Sequence, residues 1–248
     1  MATAVTTPAI DEHRPEPPSR RLGAYLVVLP NPRDSRMHLA AVTISLQILG
    51  QTLLDFDLSI AQILISVGAC ALVEFVVTFA RRKVIAWPAS AMLTGNGVAL
   101  ILRVPGTRHG DWWSTRGWWA VVAAGLLGLG AKYLVRRDGR PIFNPSNLGL
   151  VVVFVVLGER WGDPQILWWG SWGVALALTY LVIAAGAIVV TRRVGQLRTA
   201  GAFAVTWVAL TAVVAAAGHS ITANWHVGPI SGASYWWLLV TSPERLRA

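Results

Sequence analysis

Residues 60–80 read IAQILISVGACALVEFVVTFA and run directly into Arg81, Arg82 and Lys83. A helical crossing of a bilayer takes about 20 mostly apolar residues, so this stretch has the length and character of a transmembrane helix with a cationic stop. Its one carboxylate, Glu74, lies well inside the run. An ionised carboxylate in hydrocarbon costs several kcal/mol unless it is paired or protonated, so Glu74 must face protein or a wet cavity. Gln62, Ser66, Cys70, Glu74 and Thr78 recur every four residues and form one polar stripe along that helix. The stripe reads either as a ligand, ion or proton path or as a seam between helices. Glu74 is assigned as the charge or proton partner of the site.

Outward from this run the same pattern repeats. Apolar stretches occupy residues 38–54, 87–104, 116–135, 143–158, 166–190, 199–217 and 228–241, which makes eight in all. Across the 248 residues, 54% are hydrophobic and 13% charged, about half the charge of an ordinary soluble domain. The mean hydropathy is +0.54. The formal net charge of +9 sits between apolar runs, which favours membrane orientation over nucleic acid as its explanation. If every run crosses and the N-terminus is cytoplasmic, 17 of the 21 Lys and Arg fall inside; only Arg103, Arg108, Arg116 and Arg160 fall outside. Trp112, Trp113, Trp118, Trp119, Trp161, Trp168, Trp169, Trp172 and Trp225 fall at the outer ends, where an amphipathic ring prefers to lie. The expected fold is therefore an all-α polytopic membrane bundle of about eight spans, including broken or re-entrant helices, with both termini cytoplasmic. Residues 1–37, rich in charge and proline, are expected to be a disordered cytoplasmic tether, and residues 38–248 the transmembrane domain.

Three segments carry Pro or Asn-Pro beside small polar residues: residues 87–97 (WPASAMLTGNG), 143–149 (FNPSNLG) and 228–234 (GPISGAS). Asn144 suits an N-cap, with Pro145 at the first helical position. A helix starting at membrane depth offers free N–H groups to a ligand, and such broken or re-entrant helices are tolerated where they line a cavity. Thr94-Gly95-Asn96-Gly97 is expected to interrupt its own run. These segments nominate Ser90, Thr94, Asn96, Asn144, Ser146, Asn147, Ser231 and Ser234 as ligand contacts. Ala124, Gly125, Gly128 and Gly130 suit close helix approach, and Lys132 is expected to snorkel toward Arg136. The recurrence of two long runs before a Pro-containing segment suggests an inverted repeat, residues 38–158 and an incomplete 166–248. An incomplete repeat implies a second copy or another membrane subunit as partner. The single cysteine, Cys70, excludes a disulfide or thiolate cluster within the chain, and no metal site or catalytic residue is assigned.

Asn144-Pro145-Ser146-Asn147-Leu148-Gly149 resembles a segment of the family that holds the B subunit of sodium-translocating NADH:quinone reductase and the D subunit of the Rnf electron-transport complex. The nearest likeness is to actinobacterial membrane proteins associated with enediyne biosynthesis. Ser231-Gly232-Ala233-Ser234 with Thr241-Ser242-Pro243 is similar to segments near that family's end. The resemblance implies an inverted-repeat fold related to urea transporters and, in the redox members, a flavin mononucleotide esterified to a Thr after the Asn-Pro segment. The corresponding stretch here, residues 159–165 (ERWGDPQ), has no Ser or Thr, so covalent flavin is not expected and only a noncovalent flavin stays open. The expected function is a membrane accessory of specialised-metabolite biosynthesis that binds or translocates a small ligand. The alternatives are an electron-transfer subunit with noncovalent flavin and a non-redox channel or transporter.

Overall fold

The computed structural model describes residues 18–137, 140–158, 160–165 and 173–216. Seven helices dominate: α1 (Ser35–Thr52), α2 (Ile60–Arg82), α3 (Ala89–Ile101), α4 (Trp118–Leu134), α5 (Pro145–Leu157), α6 (Val174–Arg193) and α7 (Leu197–Ala216). Short strands join them: β1 (Ser19–Leu22), β2 (Tyr25–Val28), β3 (Val84–Ala86), β4 (Leu102–Arg103), β5 (Arg136–Arg137), β6 (Arg140–Pro141) and β7 (Asp163–Pro164). The run at 228–241 lies outside the described residues.

Among the described residues two helices, α2 and α6, are long and apolar enough to cross a membrane. Only 11% and 17% of their most apolar windows are buried against the rest of the chain. A core helix of a soluble protein would be covered on most sides, whereas here Leu64, Leu72, Val76, Leu181 and Ile188 stand exposed. At 1.5 Å per residue α2 rises about 35 Å, but α3 and α5, of 13 residues each, rise about 20 Å and are too short for a full crossing.

Close contacts fix the helix directions. Gln62 reaches the Arg116 carbonyl, a Cβ on Gly125 would meet Cys70 Sγ, and Glu74 meets Lys132, so α2 and α4 run parallel. Gly149 packs on Ala124 and Gly128 on Pro145, so α5 runs against α4. Gly186 packs on Val42, which seats α6 against α1. Arg81, Arg82, Lys83, Arg136 and Arg137 consequently share one end of the bundle. Trp112, Trp118 and Trp161 share the other, where the Trp119 and Trp161 rings meet edge to face at 5.0 Å. Helix α3 is central, touching α1, α2, α4 and α5. The main apolar core, including Val98, Leu102, Val121, Leu150 and Val153, lies where α3, α4 and α5 converge.

Two expectations are corrected. The tether is ordered from residue 19: β1 and β2 form an antiparallel hairpin, and β2 pairs in parallel with β3, Val27 opposite Ile85. Residues 1–17 lie outside the described residues. Helix α3 is also unbroken through Thr94-Gly95-Asn96-Gly97. The glycines there serve packing: a Cβ on Gly95 would stand 2.6 Å from the Ser66 carbonyl oxygen, and one on Gly97 would stand 3.1 Å from Ser146 Oγ.

Helix α2 starts at a capping box. Ser59 Oγ accepts from Ala61 N, Gln62 Oε1 accepts from Ser59 N, and Ser59 Oγ donates to the Trp112 carbonyl at 2.8 Å. Because Ser59 is fully buried, Ser59→Ala is expected to lower stability by about 1–2 kcal/mol in a detergent unfolding titration. Ser45→Ala, which removes only an exposed bond to its own helix, is expected to change it by less than about 0.5 kcal/mol. Equal losses at the two positions would count against the cap.

Candidate functional site

Along α2 the polar stripe faces α3 and α4. Gln62 Nε2 donates to Thr107 Oγ1 at 2.9 Å and to the Arg116 carbonyl at 2.8 Å. One turn on, Ser66 Oγ donates to the Gly95 carbonyl, satisfying both inside the seam. Cys70 then packs with Ala91 and Leu129 in a small apolar cluster. The next turn brings Glu74. Its carboxylate lies 3.2 Å from Lys132 Nζ, which also donates to Ser90 Oγ at 2.9 Å.

This triad joins three helices. Glu74 and Lys132 each lie fourteen residues beyond the first residue of their helices, about 21 Å of rise, so parallel α2 and α4 bring them level. Ser90 arrives from the start of α3, where Pro88 leaves the helix without a side-chain cap. The two charged side chains are only 16% and 22% exposed, so each depends on the other for the solvation it has lost. Lys132 therefore turns into the bundle toward Glu74 rather than snorkelling toward Arg136. The apolar cluster at Cys70 separates the triad from Ser66 and Gln62, so α2 alone carries no continuous polar path for a proton.

The second polar group lies at the start of α5. Asn144 caps the helix: its Oδ1 accepts from Ser146 Oγ at 2.9 Å and from Asn147 N at 3.5 Å. With Pro145 at the first position, Ser146 N–H has no acceptor within the helix. Pro145 rests against Gly128, one turn from Lys132 toward the tryptophan end, so α5 begins inside the bundle and not at its rim. Ser146 Oγ in turn faces Gly97 in α3. Thr94 is buried but bonds the Ser90 carbonyl of its own helix. Asn96 is 6% exposed, and its Nδ2 has no hydrogen-bond partner. Asn147 is buried at α5's first turn. Ser231 and Ser234 lie outside the described residues.

Of the nominated residues, Glu74 and Ser90 thus meet through Lys132, and Asn144 and Ser146 meet each other beside α3. Sequence reading missed the part played by Lys132; the equal helical offset of Glu74 and Lys132 was the signal for it. It also missed Arg103, which pairs with Asp57 at 3.3 Å and with Asp163, tying the α1–α2 loop to the β4–β7 ladder at the tryptophan end.

Residues 160–165, where the resembled redox family would carry esterified flavin, do not fit that group. The segment offers no hydroxyl, Asp163 is held by Arg103, and Gly162 packs against Leu102 and Val153. Comparison of the chain with models of protein families, with curated proteins and with solved structures finds no match.

Proposed function

We propose that the chain is a multi-pass protein of the bacterial cytoplasmic membrane, with both termini cytoplasmic, that binds or translocates a small ligand where α3 and α5 begin. In this reading it is an Rnf D-subunit-like accessory of specialised-metabolite biosynthesis, built as an inverted-repeat bundle of about eight spans with the short α3 and α5 as re-entrant helices. The observation that carries the proposal is the Glu74–Lys132–Ser90 triad. Charges held between apolar helices at a cost of several kcal/mol are by default functional, and this pair sits at the uncapped start of a short helix. Lys132 is the ligand's electrostatic anchor: a ligand carboxylate, phosphate or carbonyl competes with Glu74 for the ammonium. Ser90 and the polar start of α5 supply neutral contacts. The two short helices and the gathering of cations at one end also support the reading.

Lys132→Met and Glu74→Gln proteins, purified beside the wild type, test it by the mass of co-purifying ligand and by flux after reconstitution. At least a tenfold loss of retained ligand or flux is expected in Lys132→Met, with Glu74→Gln altering retention without abolishing membrane insertion. Ligand retention and flux unchanged in both variants would remove the triad from the function. Flavin absorbance that survives detergent washing would replace this reading with the electron-transfer alternative.

A further inference from the structure

The cationic end of the bundle holds a second feature that the triad does not use. Between the N-terminal hairpin and the outer flank of α2 runs a groove of about 390 Å³, lined by Val28, Leu72, Phe75, Ile85, Trp87, Pro88 and neighbours, every one of them apolar. Its walls are fixed by backbone pairing. Val28 lies opposite Ala86 in the β2–β3 register, and Trp87 N donates to the Val28 carbonyl. Leu72 is 62% exposed and Trp87 46%, so the described residues leave this surface uncovered.

Charge at the rim selects the occupant. Phe75 stacks on Phe79 with ring centroids 6.2 Å apart, and Lys83 Nζ stands 5.4 Å from the Phe79 centroid, which puts an ammonium two rings from the groove wall. Arg81 and Arg82 end α2 six and seven residues beyond Phe75 of the groove wall, and all three residues are exposed. Arg20 and Arg21 project from β1 of the same sheet. Among the described residues no carboxylate pairs with any of these five cations. A wholly apolar groove that continues the lipid-facing flank of a spanning helix and ends in unpaired cations matches one chemistry: a hydrocarbon chain joined to an anionic head. Clusters of four or more Lys and Arg at a membrane helix end attract anionic headgroups within a Debye length. A soluble protein partner would meet the hydrocarbon layer before it met Leu72.

We propose that the groove seats one acyl chain of an anionic phospholipid, with the phosphate held by Arg81, Arg82 and Lys83. The inference rests on the membrane-spanning reading of α2, and the experiment separates the two. Membranes containing the full chain are first washed with carbonate; release of the chain would overturn the spanning reading itself. The retained chain, purified in detergent, is then mixed with phosphatidylglycerol or phosphatidylcholine of identical acyl chains, and adducts are counted by native mass spectrometry. The wild type is expected to keep phosphatidylglycerol at least tenfold more than phosphatidylcholine. The triple variant Arg81→Gln, Arg82→Gln, Lys83→Gln, confined to exposed positions, is expected to bring that ratio to near one. Ala71→Phe, which fills the groove, is expected to reduce adducts of both lipids. A carbonate-resistant wild type with no preference, or a preference untouched by the triple variant, overturns the lipid seat and leaves the spanning reading in place.

Discussion

Lys132→Met is expected to destabilise the folded bundle by about 3–5 kcal/mol, read as a shift of the unfolding midpoint when the detergent-solubilised chain is titrated with dodecyl sulfate. The size follows from burial. Glu74 and Lys132 have each given up most of their hydration, and removing one partner leaves the other charge in a site that no longer compensates it. The Ser90 hydroxyl, which accepts from Lys132, loses its donor at the same time. The second substitution in the same molecule discriminates a pair from two independent residues. Glu74→Gln added to Lys132→Met removes the stranded charge, so the double variant is expected to recover about 2 kcal/mol relative to Lys132→Met alone. Losses that simply add across the two positions would mean that Glu74 and Lys132 do not interact, and the triad would cease to be a unit.

Much of this architecture was legible because hydropathy and helical rise are local properties. The stretch at 60–80 becomes α2 within two residues, and its four-residue polar rhythm becomes the seam against α3 and α4, because side chains one turn apart must share a face. Asn144-Pro145 was legible as a cap for the same reason. What escaped was nonlocal or had two local meanings. Nothing near Tyr25–Val28 announces a parallel partner at Val84–Ala86, more than fifty residues away, so a charged, proline-bearing terminus read as a tether. The glycines of Thr94-Gly95-Asn96-Gly97 have the composition of a break. They act instead as clearance, since Gly95 lets the Ser66 backbone approach, and a glycine needed for contact looks the same in sequence as one needed for a turn. Lys132 had two acceptable destinations, outward to the interface or inward to Glu74. Only the parallel register of α2 and α4 decides between them.

Gly149→Ala carries the other large expected effect, a loss of about 3 kcal/mol or more from the addition of one methyl group. A Cβ at that position would overlap the Ala124 carbonyl oxygen and come within 2.9 Å of Gly128 N, both of them backbone atoms of α4 that no rotamer change can move. The two helices must part, and the loss should reach or pass the upper end of the about 1–3 kcal/mol usual for overpacking. Gly128 makes the reciprocal contact, its missing Cβ accommodating the Pro145 carbonyl. Gly130, two residues further along α4, supplies the control, because a Cβ there would meet nothing within 4 Å. Gly130→Ala should therefore be neutral or stabilising by up to about 1 kcal/mol through helix propensity. The contrast also reports on the site. Parting α4 from α5 displaces the helix that carries Lys132 from the start of the helix that carries Asn144 and Ser146, so Gly149→Ala is expected to weaken ligand retention as well as stability, whereas Gly130→Ala leaves both intact. Equal behaviour of the two alanine variants would mean that α4 and α5 do not meet through glycine, and the depth assigned to the start of α5, which follows from Pro145 resting on Gly128, would fall with it.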